Sequence, residues 1–421
     1  MNPRFTVIRD PFLREEVWLA HSRQGLRVRV TPTSRFRETM AVVGFEYGSV
    51  DLGFVSGGAR VTTPEGTAHF LEHKLFEDEE IQVFERFARR GARVNASTGF
   101  ARTSYHFVAS DHFEANLEDL LHLVARAHLT DANVEKERGI IAQEIRMHED
   151  SPDWRAIFDL LGCLYEQHPV RHPVGGTVAS IAEITKELLF ACHAAFYRCG
   201  NAALSVAGPI DPDRVLELAD RCALPSGAPQ ERIVPDDSAA PKLTSANRVL
   251  GAARPRALLG YKEAAPSTDP AARLEQDLLL RIVLDRLLAP SSELKERLVA
   301  SGVVDDSLTA MPLSDRGFSF VVLHGETDAP PRWLEAVREL VESEVLFEAD
   351  HLERARRKLI GQHVRSFENV QAIAGLNLAD ALEDRAPFQT LARLAAIDTN
   401  GLLRRKAEVF RAAMSAEVVV T

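Results

Sequence analysis

The stretch Thr63-Pro64-Glu65-Gly66-Thr67-Ala68-His69-Phe70-Leu71-Glu72-His73-Lys74-Leu75-Phe76 decides how the rest of the chain is read. Pro64 suits a first helical turn, where its missing N–H is not needed, and Thr63 is placed to cap that turn. On the helix so predicted, His69 and His73 stand four residues apart and their imidazoles share one face. Glu72 lies three after His69 and one before His73, which brings its carboxylate to the same patch. Two neutral imidazoles and one further carboxylate make a common protein half-shell for catalytic zinc, with one position left for water. A carboxylate beside that water can take its proton as the water attacks a carbonyl. Short patterns of this kind also arise by chance, so the assignment needs a third ligand elsewhere.

Upstream, Gly25–Val30 alternates and Ala41–Tyr47 is a second strand candidate, while Gly48–Gly58 reads as a loop. Downstream, Ile81–Arg90 has helical apolar spacing ended by Gly91, and Val94–Val108 reads as two strand-like runs around a polar turn. Thr130-Asp131 caps a helix over Val134–His148 whose apolar stripe is Val134, Ile141 and Ile145. Glu137 and Glu144 are two turns apart and run along the edge of that stripe. Carboxylates there are costly unless paired or bound to a metal. By spacing alone, rim positions with Lys136 or Arg138 as partners fit them equally well.

The 421 residues suffice for two domains, and 45% hydrophobic with 26% charged residues is ordinary globular composition. A formal net charge of −11 argues against nucleic acid and against an anionic membrane surface. No 18-residue apolar run occurs, and Met1–Val7 lacks the apolar core of a signal peptide. Four scattered cysteines read as reduced, buried residues, which suggests a cytoplasmic protein. Residues 224–248 carry repeated prolines without sustained period and read as a linker. The order of elements then starts again, from a strand at Ala257–Tyr261 and a helix at Pro270–Leu288, through a helix at Ala349–Val370, to a closing strand at Ala416–Val420. The expected organisation is α+β, with domains 1–223 and 249–421 as degenerate repeats of one unit. The second repeat holds no His-x-x-Glu-His.

His69-Phe70-Leu71-Glu72-His73 with Glu137 and Glu144 downstream resembles the inverted-zincin family that includes pitrilysin, insulin-degrading enzyme and mitochondrial processing peptidase. The length resembles its short bacterial branch of single subunits, with further likeness over Glu135–Trp154 and His168–Thr177. The resemblance implies two homologous domains, each a mainly antiparallel sheet with helices packed on it. It implies one zinc per chain held by His69, His73 and Glu144, with Glu72 as general base and Glu137 orienting a ligand. Asn95 and Ala96 match positions on the strand that holds an extended peptide substrate. One departure stands out. Where the family places Arg and Tyr in Leu-Arg-Glu-x-x-Gly-Leu-Ala-Tyr, the segment Leu298–Asp305 has Val299 and Asp305. The implied activity is a zinc endopeptidase completed by a related subunit without zinc ligands that carries the Arg and Tyr. A non-catalytic scaffold or a zinc-holding peptide-binding subunit is the alternative.

Overall fold

Strand alternation and glycine placement account for most of the architecture. The computed structural model describes residues 4–77, 83–263 and 266–421. Contacts divide it into two compact units: Met1–Ile145 with Pro173–Val234 and Gln362–Gln389, and Arg146–His172 with Pro235–Gly361 and Thr390–Thr421.

The first unit contains β1 (Thr6–Asp10), β2 (Glu15–His21), β3 (Arg27–Pro32), β4 (Thr39–Phe45), β5 (Gly53–Ser56), β6 (Ala59–Thr62), β7 (Arg93–Thr98), β8 (Thr103–Ala109) and β9 (Ala202–Gly208). Seven of these form one sheet in the order β1-β2-β3-β9-β4-β8-β7. Only the β3–β9 neighbours run parallel among the described residues. β5 lies inside the segment expected as a loop and makes a separate hairpin with β6, which follows directly after it. Its two-residue turn is Gly57-Gly58, both at positive φ (57° and 81°), the conformation that matches strand twist.

The second unit contains β10 (Ser245–Arg248), β11 (Arg256–Lys262), β12 (Thr309–Asp315), β13 (Phe318–Glu326) and β14 (Ser415–Val420), in the order β10-β14-β11-β13-β12. This repeats β3-β9-β4-β8-β7 strand for strand, including one parallel pair, β10–β14. The expectation of two related α+β domains with mainly antiparallel sheets holds.

The units do not follow the contiguous division at 224–248. Helix Val370–Leu382 packs in the first unit and helix Pro152–Leu164 in the second, so corresponding elements are exchanged. Equivalent glycines admit them. A Cβ on Gly44 in β4 would lie 2.9 Å from Leu378, and one on Gly260 in β11 would lie 2.9 Å from Leu160. The expected helix Ala349–Val370 ends instead at Arg365, and Asn369 caps the exchanged helix by accepting from Ala372 N at 2.7 Å.

The proline-rich segment is fastened around its middle. Ile233 N donates to Gly53 O (2.8 Å) and Val55 N to Glu231 O (2.9 Å), extending the β5–β6 hairpin. In the second unit, Asp237 Oδ1 accepts from the backbone of Glu166 (3.0 Å), Gln167 (2.6 Å) and His168 (3.2 Å), and Oδ2 from Lys262. Periodicity cannot reveal these bonds, because each one joins irregular backbone to a distant partner.

Candidate metal centre

The first unit sets two helices side by side to build the site. The motif helix spans Thr67–Leu75 and the glutamate helix Asp131–Glu149. The motif helix begins three residues after Pro64, and its N-cap is Gly66 at φ +87° with no side-chain cap. The expected Thr63 cap is therefore not formed. The cause is tertiary: a Cβ on Gly66 would lie 2.4 Å from the Gly175 carbonyl, and one on Gly176 would lie 2.5 Å from that of Glu65. The His168–Thr177 segment thus supplies glycines that press on the motif helix start, and a left-handed residue there ends any earlier helix. For the following helix, Val83–Ala88 is observed, and the expected start at Ile81 lies outside the described residues. The glutamate helix is capped as expected: Thr130 Oγ1 accepts from Asn133 N (3.1 Å) while Asn133 Oδ1 accepts from Thr130 N (2.9 Å).

His69, His73 and Glu144 converge, with one potential ligand atom from each within 4.8 Å of the others. Glu144 Oε1 lies 3.8 Å from His69 Nε2, and Oε2 lies 3.7 Å from His73 Nε2. Two ligands about 2.1 Å from one tetrahedral zinc would be about 3.4 Å apart, so the donor set fits with small side-chain adjustment. His73 Nδ1 is 3.0 Å from Glu137 Oε1. An ionised carboxylate only accepts, so this bond puts the proton on Nδ1 and frees the Nε2 lone pair for the centre. Burial lowers the His73 pKa, but the hydrogen bond to Glu137 together with the charges of Glu137, Glu72 and Glu144 outweighs burial and raises it. Burial acts to raise Glu137, yet His73 holds its carboxyl below the usual range. A divalent cation would oppose protonation of His73.

Glu72 is 8% exposed, and burial lifts its pKa against the lowering effect of Thr98 and His73. Thr98 Oγ1 donates to Glu72 Oε2 at 2.6 Å. Thr98 went unread in the sequence, although strand alternation places it on the face of Ala96. A cavity of about 280 Å³ is lined by Glu72, His73, Phe76, Glu77, Phe84, Asn95 and Glu137. The rings of Phe76 and Phe84 stack there at 4.6 Å. Asn95 faces this cavity, and its Oδ1 accepts from the Ala96 N–H at 2.9 Å. Both belong to β7, the last strand of the sheet order, an edge where another extended chain can add. In the second unit, Val299 packs against the apolar core, and Asp305 accepts from Arg254 at 2.6 Å.

Residues 50–178 match the model of insulinase (peptidase family M16), and 183–359 match the peptidase M16 inactive domain. The chain is 34% identical to the uncharacterized zinc protease YmfH of Bacillus subtilis over 386 residues, 90% of either chain. It belongs to peptidase family M16. An M16-like peptidase from Alicyclobacillus acidocaldarius superimposes with TM-score 0.91 at 33% identity, covering 99% of both chains. A Helicobacter pylori protease shares the fold at TM-score 0.79 and 19% identity, over 96% of this chain and 98% of that one. The expected short branch of the M16 family, the YmfH-like one, is the branch found.

Proposed function

We propose that this M16 chain is a subunit of a zinc-dependent endopeptidase that cleaves peptides or short unfolded segments. The observation carrying this reading is the convergence of His69, His73 and Glu144 with Glu137 hydrogen-bonded behind His73. These three residues would hold one zinc per chain. When bound, zinc supplies a Lewis acid that polarises a carbonyl and lowers the pKa of water. Glu72 acts as general base, and Thr98 aims its carboxylate. Glu137 keeps the His73 tautomer and ring orientation. β7, through Asn95 and Ala96, receives the extended peptide by backbone pairing, with the neighbouring cavity taking a side chain.

The partner belongs to the same proposal. Val299 and Asp305 offer no donor matching the family Arg and Tyr, and Asp305 is already held by Arg254. Removing a preorganised donor for developing oxyanion charge typically costs about 10²–10³ in rate. A related subunit without zinc ligands supplies both groups in a heterodimer, and two identical chains would share the gap. The described residues contain no helix long and apolar enough to cross a membrane, and the four cysteines are free and buried. We place the protein in the cytoplasm, a reading that four unpaired cysteines support.

The deciding experiment measures zinc content and hydrolysis of a quenched peptide by the chain alone and mixed with a related subunit that lacks the zinc ligands and carries the Arg and Tyr. One zinc per chain, low activity alone and zinc-dependent activity in the mixture are expected. Zinc uptake with no turnover in either preparation would favour the zinc-holding scaffold instead.

A further inference from the structure

Lys74 directly follows His73, yet its side chain is fully buried at 0% exposure. A lysine is almost never so buried unless its ammonium is paired. Its Nζ donates to Glu77 Oε2 and, at 3.2 Å, to the backbone carbonyl of Asn133. Glu77 also lies 3.8 Å from Lys136. Asn133 sits in the first turn of the glutamate helix, and Glu137 follows one turn later. A single ammonium therefore joins the end of the helix bearing both histidines to the start of the helix bearing both glutamates.

We propose that Lys74 is a positioning residue for the metal: it fixes the axial register of the glutamate helix against the motif helix. The proposal rests on the reading of His69, His73 and Glu144 as zinc ligands. Register is the quantity at stake, because one residue of slide moves a helix by about 1.5 Å. Zinc–ligand distances tolerate only about ±0.2 Å. The stripe of Val134, Ile141 and Ile145 holds the glutamate helix down, but apolar contact is non-directional and specifies axial position weakly. Arg138 ties the same helix elsewhere, to the carbonyls of Ile181 (3.1 Å) and Ile184 (2.7 Å). The Lys74–Asn133 bond is directed from one ligand-bearing helix to the backbone of the other. Because its acceptor is main chain, it reports helix position whatever rotamer a glutamate adopts.

The test compares Lys74→Met and Glu77→Gln with the unmodified full chain. Zinc affinity is read by chelator competition, the ligand field from the visible absorption of the cobalt-substituted protein, and stability from melting of the metal-free form. Methionine keeps the stem volume and removes charge and donors. Lys74→Met should weaken zinc by about 10–100-fold, the range for partners behind the ligands, and should alter the cobalt bands. Glu77→Gln should weaken zinc less, with the same sign. A role confined to folding would lower the metal-free melting temperature and leave affinity and cobalt bands unchanged, which overturns the proposal. Should Lys74→Met fail to fold, Glu77→Gln decides by the same criterion. If the unmodified chain took up no zinc, the ligand reading and this inference would fall together. Normal uptake with unchanged variants removes the register role alone.

Discussion

The two units share one plan and fill it differently. The five strands β3-β9-β4-β8-β7 recur as β10-β14-β11-β13-β12, and in each set of five the second strand in sequence (β4, β11) lies beside the last (β9, β14). Between the second and third of those strands in sequence, the first unit has the nine-residue motif helix and the second has the 19-residue helix Pro270–Leu288. The longer helix follows local rules: Asp269 caps it and Pro270 occupies its first turn. It buries Leu278, Leu280, Ile282, Val283, Leu284 and Leu287. The motif helix breaks those rules, with a left-handed glycine for a cap, a buried lysine, and histidines and carboxylates on its working face. In the second unit the buried charges are answered within the protein: Arg405 pairs with Glu263 at 2.7 and 2.8 Å, Lys262 donates to Asp237, and Lys295 and Lys406 donate to the carbonyls of Leu308 and Ser343. Duplicated folds can thus separate stability from chemistry: polar groups that satisfy one another rigidify one copy, and the groups proposed to hold a cation serve the other.

Substitutions can break this division or sharpen it. The largest effect is expected for Glu72→Gln, where an amide cannot accept the water proton: hydrolysis should fall by about 10²–10⁴-fold with zinc content intact. Zinc lost together with activity would instead make Glu72 a ligand. In the second unit, Arg405→Met leaves the Glu263 carboxylate buried and uncompensated, at a cost of about 3–5 kcal/mol. Hydrogen exchange should accelerate in β11, β13 and β14 while the zinc dissociation constant stays constant. A coupled loss of zinc would show that the two copies do not divide the roles. Glu137→Gln should weaken zinc by about 10–100-fold, because the amide holds the His73 Nδ1–H less well. An unaltered titration curve would count against its orienting role.

Much of this is legible in the sequence, and the gaps have physical causes. The i, i+4 histidines and the seven-residue glutamate spacing survive because they lie inside regular helices, where period alone sets the face. The Thr63–Pro64 cap was misread because Gly66 is dictated by the Gly175 carbonyl, a contact more than 100 residues away in sequence. The β5–β6 hairpin was hidden because four-residue strands show little alternation, although Gly57-Gly58 carried the turn signal. Lys74 looks like an ordinary exposed lysine until the glutamate helix is laid against it. The exchange of helices Pro152–Leu164 and Val370–Leu382 between the units was invisible for another reason. Helix Val370–Leu382 is apolar over most of its circumference, and no local pattern says which sheet a helix covers.

That exchange supplies the smallest test and the most direct one of the division into units. Helix Val370–Leu382 lies in the first unit through Leu378 against Gly44, Asn377 Nδ2 donating to Thr31 Oγ1 at 2.9 Å, and Arg27 Nη1 donating to the carbonyl of Ala381 at 2.8 Å. Its N-terminus depends on Asn369, whose side chain answers one N–H that the helix itself leaves unpaired. Asn369→Ala removes that acceptor at an exposed position, so about 1 kcal/mol of stability should be lost. The location of the loss is what matters. Because the helix covers β3, β4 and β9, exchange should quicken across residues 370–382 and in those strands. The segments 390–421 and 256–262 should keep their protection, although residue 390 is much nearer in sequence than β4. Zinc held as proposed by His69, His73 and Glu144 should restore part of the lost protection there, since a ligand that binds only the folded form stabilises it by mass action. Faster exchange confined to 390–421, with β3, β4 and β9 unchanged, would mean that sequence neighbours rather than the exchanged helix set the units.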